Sequence, residues 1–249
     1  KVLPAEASKE ALFSLHRNMG ISRCVIVQSV THGYDNRVVE DAIAAGAGRY
    51  LGIALVPPAV EMSELRRLAR VGFRGVRFHF MKHLHTGASI DQVIRLTSML
   101  AEVGMHLQVH FESPLVHTVG PMLLKSQVPV VIDHMGYLPQ PDPLNDAGYA
   151  VLRRLLDGGN TWVKLSGVYL RSAQRRPPYD DCDALAAALA RAAPERCVWG
   201  TDWPHTGVRD AACKPDGAEL FDRLLRWVPD DVTRYRVLVT NPQKLYWVS

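Results

Sequence analysis

The chain has little cysteine. Cys24, Cys182, Cys197 and Cys213 are its four thiols in 249 residues, far apart and without a Cys-x-x-Cys pair. That spacing excludes a zinc knuckle, offers no disulfide framework, and suits reduced thiols in a cytoplasm. No apolar run approaches the roughly 20 residues of a membrane span, and the amino-terminal residues lack the charged-then-apolar pattern of a signal peptide. Nor is there an excess of one charge. The 29 Lys and Arg against 25 Asp and Glu leave +4, spread along the chain with no basic tail and no aromatic-basic interleaving. A nucleic-acid surface is excluded on that ground, and small-molecule partners, anionic ones included, are expected. A Gly-rich phosphate turn after the first strand is also missing. Gly46 and Gly48 precede a strand instead of opening a helix, which argues against an open dinucleotide-binding sheet.

What is present is an alternation. Short Val/Ile-rich runs, each followed by a helix-like segment, are the pattern of a parallel sheet wrapped by helices. Strands are predicted at 23–29, 50–56, 73–80, 106–112, 128–136, 161–167 and 196–202, with helices including 62–71, 90–103, 147–156 and 183–193. Ser89 and Gln92 form a capping box ahead of Ile90, Val93, Ile94 and Leu100 at helical spacing, and Gly104 ends that helix. Seven strand-helix units are one short of a TIM-type (β/α)8 barrel. Residues 1–10 read as a loop and 11–19 as the helix that follows a first strand, so that strand is expected upstream of Lys1. The whole is expected to be one α/β barrel domain, and a homo-oligomer is compatible with it.

The strands are nearly continuous apolar runs, with polar residues at their C-terminal ends: Ser29, His79, His110, Glu112, His134, Ser166 and Asp202. In a closed barrel these ends build the active site. Positions two apart share a face, which groups Arg77 with His79, Gln108 with His110 and Glu112, His134 with Ile132 and Val130, Lys164 with Ser166, and Asp202 with Gly200. An interior holding those charges needs a ligand, a metal or mutual pairing. Blander readings stand beside these. His110 reads equally as a hydrogen-bonded core histidine, and Arg77 as an ion-pair partner of Glu112 or Asp202. Asp133, turned away from His134 by parity, is expected to be structural, bonded to backbone or paired behind the strand. His83 and His85 read as polar surface on a loop.

The stretches GVRFHF (75–80), VVIDHMG (130–136), VKLSG (163–167) and WGTDWPH (199–205), with LGIALVPP and TNPQKLYW, resemble the amidohydrolase superfamily. Within it they are most similar to the lactonases of sugar lactones and 2-pyrone-4,6-dicarboxylate. The resemblance implies a (β/α)8 barrel that hydrolyses a small anionic lactone or cyclic acid with an activated water. It implies Asp202 as general base and His134 as the group that polarises the lactone carbonyl or helps hold a metal. Arg77 would grip a substrate carboxylate, with His79, His83 and Arg171 beside it and Ser29 and His32 in contact with substrate. The cofactor is either none or one divalent metal, zinc or manganese, on His110, His134 and Asp202. Two features depart from the family. Its first-strand His-x-His is absent, and His83 and His110 stand where the pyrone-dicarboxylate enzymes have an arginine and a tyrosine. Alternatives on the same barrel are a lactone isomerase, a nonoxidative decarboxylase, and an inactive paralogue that binds a small molecule.

Overall fold

Seven parallel strands pair in chain order, each with the next: β1 (Cys24–Val27), β2 (Tyr50–Leu55), β3 (Phe73–Phe80), β4 (His106–Phe111), β5 (Val130–Ile132), β6 (Thr161–Leu165) and β7 (Cys197–Trp199). The computed structural model describes residues 7–81, 87–140, 142–174, 176–208 and 213–247. Helices α1 (Lys9–Asn18), α2 (Arg37–Ala45), α3 (Met62–Val71), α4 (Ile90–Glu102), α5 (Val116–Leu123), α6 (Ala147–Asp157), α7 (Val168–Arg171), α8 (Asp183–Ala192), α9 (Gly217–Trp227), α10 (Asp231–Tyr235) and α11 (Asn241–Tyr246) fill the intervals. Among the described residues no helix is long and apolar enough to cross a membrane.

The local chemistry explains the elements. The expected capping box starts α4, with Ser89 Oγ accepting from the Gln92 amide at 3.2 Å and Gln92 Oε1 from the Ser89 amide at 2.9 Å. In α3, Leu65 and Leu68 lie on one face and are fully buried. Truncating either to alanine should cost about 2–5 kcal/mol.

Alternation sorts each strand into two faces. One face packs against the helices in the main core, as Val130, Ile132 and Val163 do. The other supplies Leu51 and Ile53 from β2, Val131 from β5, Trp162 from β6 and Val198 from β7 to a second, separate cluster, with Val25 and Val27 of β1 against it. Side chains of β2 and β5 are three strands apart and can meet only if the sheet curls, so this second face is the inside of a barrel wall. Leu245 and Tyr246 of α11 close its lower end, with Tyr246 edge-on to His106 at 5.3 Å. Burial there pushes His106 down to about 3.

Candidate active site

The register of β3 against β4 places His79 opposite His110, with ring centroids 5.4 Å apart. His110 in turn lies 5.0 Å from the ring of His134. Three histidines from three successive strand ends therefore line one wall of the barrel mouth. Burial, with His134 second, pushes His110 down to about 2, so its ring is neutral at any working pH. Its Nε2 has no hydrogen-bond partner among the described residues.

His134 arrives there by a route that strand alternation does not describe. β5 stops at Ile132, and His134, Met135, Gly136 and Tyr137 all take positive φ, between 49° and 71°. The turn rotates His134 into the mouth, away from Val130 and Ile132, which pack outward against the helices, whereas Asp133 follows Val131 on the inner face by ordinary alternation; its pairing inside the barrel corrects the expectation that it bonds to backbone or pairs behind the strand. Asp133 is fully buried. Its Oδ1 accepts from Lys164 Nζ at 2.6 Å and Gln108 Nε2 at 2.9 Å, and its Oδ2 lies 3.5 Å from Arg77 Nη1. Burial alone would raise its pKa, but Lys164, His134 and Arg77 outweigh that and hold it well below the carboxylate range.

The segment after β6 fixes the adjoining wall. Ser166 Oγ meets His134 Nδ1 at 2.9 Å. Gly167 follows at φ 69°, and Tyr169, in the first turn of α7, donates its hydroxyl to Asp202 Oδ2 at 2.6 Å. Burial first, and then Asp202, push the Tyr169 phenol up, so it stays a donor. Asp202 itself is left-handed at φ 57°, and its other oxygen, Oδ1, stands 3.9 Å from His134 Nε2.

Asp202, His134, His110 and His79 thus form one contiguous group. Arg77 is tied in below them. Its Nη2 donates to the Gln28 carbonyl at 2.5 Å and its ion-pair partner is Asp133, not Glu112 or Asp202. Arg171 lies to the side, 4.2 Å over the Tyr137 ring, with Nε and Nη2 on the Leu138 carbonyl. It lines a cleft of about 450 Å³ with Glu112, His117, Tyr137 and Asp146. Tyr137 links this cleft to His110, with ring centroids 5.4 Å apart. Ser29 caps the short turn Val30–His32 through the Thr31 amide, and His32 is exposed at the end of that turn. No contact joins either to Asp202 among the described residues. His83 lies outside the described residues. Three ligand-type atoms, from His110, Asp133 and His134, lie within 4.8 Å of one another. Asp133 therefore takes the place that sequence reasoning reserved for Asp202 in a metal set. Tyr169 is the site residue that reasoning overlooked, and Asp133, read as structural, was placed on the wrong face. The signal for Asp133 was the unpaired charge of Arg77 and Lys164 on the same inner face.

A (β/α) barrel with a carboxylate and several histidines at the C-terminal strand ends defines a class of hydrolases, and residues 1–247 match the Amidohydrolase family. The chain belongs to that family. It is 33% identical to the 4-sulfomuconolactone hydrolase of Rhizobium radiobacter over 98% of this chain and 82% of that one. It is 31% identical to the 2-pyrone-4,6-dicarboxylate hydrolase of Comamonas testosteroni over 99% of this chain and 83% of that one. Among solved structures, an apo protein from Agrobacterium tumefaciens superposes with a TM-score of 0.87 at 29% identity, over 99% of this chain and 88% of that one.

Proposed function

We propose that the protein hydrolyses a small carboxylate-bearing lactone, with Asp202 as general base. The observation that carries this is the Asp202 carboxylate at the barrel mouth, one oxygen held by Tyr169 and the other facing His134 Nε2. A water seated between Oδ1 and the lactone gives its proton to Oδ1 as its oxygen bonds to the carbonyl carbon. With the Ser166 hydroxyl donating to Nδ1, His134 carries its proton on Nε2 and stabilises the oxyanion. Collapse breaks the ring C–O bond, and Asp202 returns the proton to the departing alkoxide. The products are a hydroxyl and an acid that ionises at neutral pH. Arg77 has Nη2 on Gln28 and Nη1 beside Asp133 and keeps only its buried Nε unpartnered, so the substrate carboxylate is assigned to Arg171, whose Nη1 has no hydrogen-bond partner among the described residues.

The His110, Asp133 and His134 set fits a resident dication poorly. Asp133 is already neutralised by Lys164 and faces Arg77, and a dication bound to it would be repelled by both. The chemistry is therefore assigned to the side chains. Four free thiols support a reducing compartment such as the cytoplasm.

The test is a panel of carboxylate-bearing lactones followed with a pH indicator. Ring opening releases acid, isomerisation does not, and decarboxylation releases carbon dioxide. Asp202→Asn should abolish turnover and retain ligand binding. Turnover that survives in that variant, or no acid from any lactone, would overturn the reading.

A further inference from the structure

We propose that Tyr169 is a positioning residue for Asp202, holding Oδ2 so that Oδ1 alone is presented to water and to His134. This rests on the reading of Asp202 as the general base. A carboxylate on a free side chain has a broad, roughly two-fold torsion and can present either oxygen. Here the 2.6 Å bond from the Tyr169 hydroxyl removes that freedom. The ring that carries the hydroxyl is itself fixed, since Tyr169 is 7% exposed and lies edge-on to His205 at 5.1 Å. His205 is buried as well, so the phenol is backed by a packed wall. Tyr169 also follows directly from the residues that hold His134. Ser166 bonds Nδ1, Gly167 leaves room for the imidazole, and two residues later Tyr169 grips the carboxylate. One short segment after β6 therefore sets the distance and angle between the two groups that the reaction uses.

Tyr169→Phe removes the hydroxyl and keeps the ring. Because the lost bond orients the base in the transition state, we expect kcat to fall by about tenfold or more, with KM within about twofold and the melting temperature lowered by no more than a few degrees. In the Asp202→Asn background the same substitution should leave ligand affinity unaltered, since the oriented carboxylate is already gone. An unchanged kcat, or a raised KM at constant kcat, would overturn the proposal. Should Tyr169→Phe lose its fold, Tyr169→His, which keeps a ring donor, is compared with Tyr169→Leu. Equal kcat in those two would count against it and a higher kcat for His would support it. Turnover by Asp202→Asn alone would instead sink the base assignment, whereas an inactive Asp202→Asn beside a fully active Tyr169→Phe would sink only the role of Tyr169.

Discussion

Gly167 and His134 share one space. A Cβ placed on Gly167 would lie 2.4 Å from His134 Nδ1 and 2.8 Å from Cγ, closer than folded proteins allow. Gly167 also sits at φ 69°, where an L side chain adds strain of about 1 kcal/mol. The glycine thus sets how closely the β6 turn can approach the imidazole. Because the ring is wedged between this turn and Ser166, it cannot yield without losing its bond at Nδ1.

From this we expect Gly167→Ala to fold with a modestly lower melting temperature and to lose most of its turnover, on the order of a hundredfold in kcat, by displacing His134. Steady-state kinetics beside a thermal melt decide it. Near-normal kcat would mean that the placement of His134 does not limit the reaction.

Asp133 and Lys164 form the buried charge pair under the mouth, and Asp133 is wholly excluded from solvent. Removing one partner of such a pair costs about 3–5 kcal/mol when the other is left without a counter-charge, and here Asp133 would keep only Gln108 and the 3.5 Å contact to Arg77. Lys164→Met should therefore lower the melting temperature by many degrees. Lys164→Met combined with Asp133→Asn should recover part of the loss, because the carboxylate that Arg77 alone compensates has gone. Equal melting temperatures for the single and double variants would show that the pair is not coupled.

The wall of the barrel was legible in the sequence because alternation and apolar content reflect the same fact, burial on both faces. The seven strands and their consecutive order follow from it. His134 was misplaced because alternation holds only while the backbone stays extended, and Asp133 was misplaced because the inner face carries Val131 and not Val130 and Ile132. Beyond Ile132 the chain turns left-handed for several residues, and Gly136 is the one glycine there to announce it. Asp202 was legible from its place between an apolar strand and the Trp-Pro that follows. Tyr169 was not, since it stands in a helical turn past the strand end, where no spacing rule says which neighbour a phenol will reach.

His16 of α1 is buried against Tyr50 of β2, Nδ1 to hydroxyl at 3.0 Å, and burial pushes its pKa down to about 4. The unfolded chain protonates this histidine near pH 6.5, so its contribution to stability is complete above that value. It is lost as pH falls from about 6.5 towards 4, where the unfolded state binds a proton the folded state refuses. His106, His110 and His205, also pushed down by burial, act with the same sign. The melting temperature should fall across this window, and His16→Gln should make the fall shallower. Parallel pH dependences for the two proteins would remove His16 from the account.

Turnover should survive metal removal. The carboxylate grouped with both His110 and His134 is Asp133, and its charge is spent on Lys164 and Arg77, whereas Asp202 is held by Tyr169. A dication entering between the histidines would raise the local positive charge beside two buried cations and compete with Lys164 for the same oxygen. Protein dialysed against a strong chelator, with metal content checked by elemental analysis, is therefore expected to keep its kcat to within about twofold. Added zinc or manganese should not raise it. Loss of activity on chelation, restored in proportion to one equivalent of added metal, would mean that Lys164 gives way and that Asp133 serves as a ligand.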